Sequence, residues 1–330
     1  MTMPNTVTAD AIFQIASGFM ASKQLFAASE LGLFEHLADG PMTLKLLAQR
    51  IGIPCHHVRI IADAMVALGL VERHHHQYQN SPVAAAFLSG HSTPDLRPYL
   101  RLWNQISYPA WQQLEMRLRP DHIPSELVNE KKVKVFSEGV EAITSGAAQA
   151  LPRTYDFRRH RRVLDLGGGT GSFLLALLQQ QPAIEATLFD LPPIARFARQ
   201  RLRMAPGAEQ ITVVEGDFFH DPLPPDQDCV LIAHVAHMFS PERNRALLQR
   251  LRVSVAAGTR LLLVDFWTDS THTCPLFAAL LAGEFLVATG EGDVYSEEEV
   301  RTWLVQSGWH YLEHQPLREA SSLIVAEAHQ

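Results

Sequence analysis

Apolar positions recur at helical spacing over residues 9–38. Ile12, Ile15, Ala16, Phe19 and Met20 are followed by Leu25, Leu31, Leu33, Phe34 and Leu37, which predicts two helices with a loop at Leu31-Gly32. Such apolar content near the start of the chain fits either a seam between two copies or ordinary core. Residues 43–80 carry a winged-helix pattern. Thr43 caps a helix to Arg50, Gly52-Ile53-Pro54 turns, a second helix spans His56–Leu68, and residues 69–73 and 77–80 make a short hairpin. His74-His75-His76 falls in the wing of that hairpin, and adjacent histidines on a strand point to alternate sides, so a solvated wing is expected rather than a metal site. Residues 95–157 read as a helical connector with Trp103, Tyr108, Trp111 and Phe136 and a helix over 135–151. A connector this aromatic either walls a ligand pocket or fills an inter-domain core.

From residue 160 onward the pattern changes to short apolar runs alternating with helical periods. Strands are expected over 161–166, 185–189, 211–214, 229–233 and 260–265, and helices over 172–181, 194–203, 241–256 and 297–307. Two last strands lie near 309–316 and 322–328. This alternation specifies a doubly wound, Rossmann-like α/β domain. Leu317-Arg318-Glu319-Ala320-Ser321 is too short for a parallel crossover, so a final antiparallel strand is implied. The expected organisation is a mostly α winged-helix domain at 1–94, the connector at 95–157 and the α/β domain at 158–330.

Composition narrows the function classes. The chain has 330 residues, 47% of them hydrophobic, and a net charge of −7. Residues 1–110 hold 7 basic and 7 acidic side chains, so the acidic excess lies beyond them. Nothing here favours a polyanionic partner. The helix that would read DNA in a winged-helix protein, 57–68, is apolar and offers only Arg59 against Asp63, which argues against nucleic-acid binding. Cys55, Cys229 and Cys274 are odd in number and widely spaced, as in reduced, cytoplasmic proteins. Residues 1–10 lack the basic region of a secretory signal, and no apolar run is long enough to span a bilayer.

The chemistry centres on Val163-Leu-Asp-Leu-Gly-Gly-Gly-Thr-Gly171, a strand end, a glycine turn and a helix start. A phosphate-binding P-loop needs a lysine after the last glycine, and none follows Gly171. Gly167 and Gly169 fit the first two positions of a nicotinamide fingerprint, but Ser172 stands where its third glycine belongs. What remains is Asp165 two residues before Gly167, a pattern suited to S-adenosylmethionine (SAM), whose ammonium and ribose diol suit acids better than a phosphate cradle. Asp190, followed by Leu191, ends the second strand and can accept both ribose hydroxyls. Gly216-Asp217-Phe218 follows the third strand, placing an acceptor and a ring near the adenine.

These motifs, with Phe189-Asp-Leu-Pro192 and His234-Val-Ala-His-Met-Phe-Ser-Pro-Glu242, resemble those of the SAM-dependent small-molecule O-methyltransferases related to plant caffeate O-methyltransferase and to bacterial polyketide and pigment methyltransferases. The resemblance covers nearly the whole chain and implies a homodimer built through the winged-helix domain, acting on a small-molecule acceptor, without nucleic acid or membrane. It implies that His237 is the general base, oriented by Asp265 at the end of the fifth strand, because a histidine titrating near neutrality can take a phenol or enol proton. The sequence departs from the family at Met238, where the family has aspartate, and at Phe239, where it has tryptophan. Asp293 stands near the family's second acid, in a loop that differs from the family's. Transfer to carbon, or a SAM-binding fold doing other chemistry, stays open for that reason. His234 is expected to border the cofactor. A metal held by His234, His237 and His272 is the less favoured alternative.

Overall fold

The computed structural model describes residues 8–91, 93–119, 131–318 and 320–329. Most of the N-terminal decapeptide and residues 120–130 of the connector lie outside the described residues. The chain forms two units, Met1–Gln105 and Ile106–Gln330.

In the first unit, Asp10–Glu30 is one long helix. Gly32, at φ 68°, turns the chain into the short helix Leu33–His36. Three strands, β1 (Met42–Thr43), β2 (Val71–His74) and β3 (Gln77–Asn80), form a small sheet in the order β1-β3-β2. Thr43 caps the helix Leu44–Ile51 by accepting from Leu46 N at 3.4 Å. Together with the helix Cys55–Ala67 these elements bury Phe34, Leu47, Met65 and Tyr78. Plain core does not account for the start of the long helix: Ile12, Phe13 and Ile15 are 69%, 67% and 81% exposed. The histidine run also differs from expectation. Only His74 is in a strand, while His75 (φ 55°) and His76 form the turn itself, and all three are exposed.

The second unit is built on a seven-stranded sheet. Its strands are β4 (Arg162–Leu166), β5 (Glu185–Asp190), β6 (Ile211–Glu215), β7 (Cys229–Ala233), β8 (Arg260–Phe266), β9 (Trp309–Pro316) and β10 (Ser321–Ala328). They lie in the order β6-β5-β4-β7-β8-β10-β9. The first five are mutually parallel, and β10 runs antiparallel to both β8 and β9. β7 is buried along its whole length and β8 from Leu261 onward. Helices cover both faces, which is why these strands read as continuous apolar runs rather than alternating ones. Leu174, Leu177 and Ala198 pack on one face, and Leu248, Trp303 and Trp309 on the other. Each of these leucines, once fully buried, contributes about 1.5–3 kcal/mol of transfer free energy.

In the second unit one long helix lies outside the predicted set. Leu276–Thr289 is apolar on nearly every side, so it shows no helical period against a polar background. Its Leu276 and Leu280 are 72% and 60% exposed, while Leu281 and Phe285 are buried. Sheet order reverses at β4, between β5 and β7, which places a ligand crevice beyond the carboxyl ends of these strands.

Candidate active site

The glycine loop leaves β4 with Gly167, Gly169 and Gly171 at φ 77°, 56° and 82°, a left-handed path that side-chain-bearing residues seldom follow. Gly171 N donates to Gly168 O at 2.9 Å, so the turn closes on itself before the helix Ser172–Gln180 begins. Asp165 is fully buried beneath it, and neither carboxylate oxygen receives a hydrogen bond among the described residues. Burial first, and the nearby Asp190 charge second, push its carboxyl up to about 8. Asp190 stands at the next strand end. It accepts from Gly169 N at 2.9 Å and Leu191 N at 2.7 Å, and burial outweighs those bonds to push it up to about 6. Leu191 beside it is 49% exposed, and Gly216 N donates to Asp190 O at 3.0 Å. Thus Asp165, Gly167, Gly169, Asp190, Leu191 and Gly216 converge at one end of the sheet. Two carboxyls held above their ordinary range, one of them without any donor, suit a ligand that brings positive charge and hydroxyl donors.

Asp217, in the loop after β6, is oriented by bonds within that loop. Its oxygens accept from Phe219 N and from His220 Nδ1, each at 2.8 Å, so they are engaged inside their own loop. Burial works against its ionisation, but those bonds prevail and its carboxyl sits below the ordinary range. The ring contribution is more extensive than expected. Phe218 and Phe219 both meet Phe239 edge-on, with centroids 5.8 and 5.0 Å away. Arg243 lies over Phe219 and Phe239 at 4.3 and 4.5 Å.

Beyond β7 the chain makes a single turn over Ala236–Met238. Ser240 then caps the helix Pro241–Ser254. This turn carries His237 to Asp265 of the adjacent strand β8. His237 Nδ1 is 2.6 Å from Asp265 Oδ1, and His237 N donates to Oδ2 at 3.3 Å. Phe266 N also donates to Oδ1, at 2.9 Å. Burial opposes ionisation of Asp265, but the charge and hydrogen bond of His237 prevail and hold its carboxyl below the ordinary value. Beside an ionised Asp265, the neutral form of the ring carries its proton on Nδ1 and turns the Nε2 lone pair away from the carboxylate. One face of the imidazole is covered by Phe285, with centroids 3.7 Å apart and planes 14° from parallel.

His234 lies beside this pair rather than in the glycine loop. It takes φ 57°, its ring is 4.8 Å from Phe266 and 6.2 Å from Phe173, and its Nδ1 has no hydrogen-bond partner among the described residues. Burial pushes it down to about 4, so it is neutral at physiological pH. Ligand atoms of His234, His237 and Asp265 lie within 4.8 Å of one another. Two ligands of one tetrahedral ion at ~2.0–2.2 Å bond lengths stand roughly 3.3 Å apart. The 2.6 Å contact of His237 Nδ1 with Asp265 Oδ1 is therefore that of a hydrogen bond rather than of two ligands on one ion. His272, the remaining metal candidate, pairs with Glu299 at 3.2 Å.

Asp293 reaches His237 through its backbone: its N donates to His237 O at 3.1 Å, while its carboxylate accepts from Val294 N at 2.7 Å. Phe219, Arg243 and Phe285 had no distinguishing sequence signal, since each reads as ordinary loop or helix composition.

Comparison with known proteins bears on the purpose of this arrangement. The family model for the O-methyltransferase domain matches residues 125–310, and that for the O-methyltransferase dimerisation domain matches 13–90. The chain is 31% identical over 316 residues to 3-hydroxy-5-methyl-1-naphthoate 3-O-methyltransferase of Streptomyces sahachiroi, covering 93% of this chain and 91% of that protein. It is 30% identical over 307 residues to the tetracenomycin polyketide synthesis 8-O-methyl transferase of Streptomyces glaucescens, covering 90% of each. Human N-acetylserotonin methyltransferase in complex with SAM superposes with a TM-score of 0.87 at 25% identity, over 99% of this chain and 100% of that one.

Proposed function

The chain belongs to the SAM-dependent O-methyltransferase family, and on that premise we propose that it methylates a hydroxyl of a small aromatic or polyketide-like metabolite with His237 as general base. The observation that carries this reading is the buried His237–Asp265 pair, with Nδ1 on the carboxylate and Nε2 turned away from it. Two relatives named for polyketide and naphthoate methylation support the acceptor class.

SAM, when bound, supplies an electrophilic methyl on a sulfonium. Asp190 and the glycine loop from Gly167 to Gly169 would hold it, with Asp165 facing its positive charge and Phe218 and Phe239 flanking its adenine. His237 Nε2 takes the proton of the acceptor hydroxyl, which turns that oxygen into the nucleophile. Asp265 fixes the tautomer and then stabilises the imidazolium. Asp293 holds the backbone of His237 in place from the loop that follows Thr289. The exposed apolar face of helix Asp10–Glu30 is covered by a second copy, in keeping with the dimerisation-domain match. No described helix is long and apolar enough to cross a membrane.

Incubation with SAM and a set of naphthols, hydroxynaphthoates and hydroxyanthraquinones is expected to yield S-adenosylhomocysteine and products bearing O–CH3 by NMR. A C–CH3 product, or turnover without S-adenosylhomocysteine, overturns the reading.

The acids predict how SAM binding depends on pH. Asp165 and Asp190 keep their protons up to about 8 and about 6 in the free protein. A cation and two hydroxyl donors favour the ionised carboxylates, so binding releases protons and affinity rises as pH passes through these values. Calorimetry at pH near 6.5 in two buffers of different ionisation enthalpy measures the release, and proton uptake would contradict the assignment of these acids to SAM.

A further inference from the structure

One half-buried carboxylate takes no part in the chemistry above. Glu284 lies on the helix Leu276–Thr289, next to Phe285. Its Oε1 accepts from Ser107 Oγ at 2.6 Å, and its Oε2 accepts from Trp111 Nε1. Burial raises its carboxyl above the ordinary range despite those two bonds. The connector is fastened to this helix at further points. A side chain at Gly283 would meet the Trp111 ring at 2.8 Å, so the indole rests directly on the helix backbone there. Arg117 Nη1 donates to Val287 O at 2.7 Å. One side of the helix is thus tied to Ser107, Trp111 and Arg117, while Phe285 on another side covers His237.

We propose that Glu284 is a positioning residue for the base: by tying Ser107 and Trp111 to the helix, it fixes the depth at which Phe285 stacks on His237. The inference rests on the base role of His237 proposed above. Charge-assisted hydrogen bonds are roughly twice as strong as neutral ones, so a half-buried carboxylate between two donors is a stiff fastening. If the helix slides, the imidazole loses the ring that confines it, and a misplacement of about 1 Å costs on the order of 10²-fold in rate.

Two substitutions separate fastening from charge. Glu284→Ala removes both bonds. Glu284→Gln keeps both, because its oxygen accepts from Trp111 Nε1 and its amide donates to Ser107 Oγ, a hydroxyl that accepts as well as donates. The primary readout is the His237 ring-proton resonance in histidine-labelled protein, assigned by its loss in His237→Asn. A stacked phenyl ring shifts that signal upfield. Glu284→Ala is expected to move it downfield and to lower kcat/KM for a methylated hydroxynaphthoate by about 10²-fold, with SAM affinity unchanged. Glu284→Gln is expected to leave both near wild type. An unmoved resonance in Glu284→Ala overturns the proposal. So does a Glu284→Gln variant as impaired as alanine with its resonance in place, since that outcome gives the charge itself a role toward the acceptor. Should Glu284→Ala not fold, Ser107→Ala removes one of the two fastenings, leaves the indole on Gly283, and must move the resonance the same way. An active His237→Ala enzyme would overturn the base role while leaving these resonance shifts intact, so the two failures are distinguishable.

Discussion

Replacing His237 by alanine is expected to lower kcat by about 10²- to 10⁴-fold while leaving SAM affinity unchanged. The reason is where the side chain stands. Its imidazole is nearly buried, bonded through Nδ1 to Asp265 and stacked on Phe285, whereas the glycine loop and Asp190 make their contacts elsewhere. Removing the ring therefore removes the proton acceptor and nothing that would hold SAM. Holding donor and acceptor together still supplies a large share of the acceleration, so residual activity is expected rather than none. Single-turnover kinetics with SAM titrated by calorimetry separates the two quantities, and wild-type turnover in this variant would refute the assignment. A loss of SAM affinity equal to the loss of rate would place His237 in the cofactor site instead.

Asp265→Asn is expected to cost nearly as much, for a different reason. The three groups hydrogen-bonded to the carboxylate are donors: His237 Nδ1 at 2.6 Å, His237 N at 3.3 Å and Phe266 N at 2.9 Å. An asparagine has one oxygen and one NH2, so one orientation sets NH2 against the backbone donor of His237. The other sets it against the ring, where it selects the tautomer with the proton on Nε2. In that tautomer the base has no free lone pair toward the acceptor. The loss expected is about 10²–10⁴-fold in kcat, with the buried donor left unpaired costing a further ~1–3 kcal/mol of stability. Turnover against pH, together with thermal unfolding, checks both parts. A variant that is destabilised yet turns over normally would show that tautomer control is unnecessary.

The sheet was legible because buried parallel strands announce themselves as short, mostly apolar runs. Arg162–Leu166, Cys229–Ala233 and Arg260–Phe266 all present such runs, and the short link before β10 required its antiparallel course. The helix Leu276–Thr289 was not legible, since residues apolar on every side carry no period to detect. Asp217 illustrates a second limit. Its place after a strand was legible, but the bonds from Phe219 N and His220 Nδ1 that orient its carboxylate were not, since sequence order alone does not disclose local side-chain bonds. The fastening of Glu284 was hidden for a third reason: Ser107 and Trp111 lie 177 and 173 residues before it. Asp265 and His237, by contrast, sit at the ends of adjacent strands, so the topology brings them together without special provision.

The place of β4 between β5 and β7 divides labour within the sheet. Gly167, Asp190 and Gly216 hang from β4, β5 and β6, whereas His237 and Asp265 hang from β7 and β8. Descendants of such a chain can diversify the segments after β8 while inheriting β4 to β6 intact. On the roles proposed above, one methyl-donor half can be paired with many acceptor halves, and a change of substrate need not pass through an ancestor that has lost its grip on SAM.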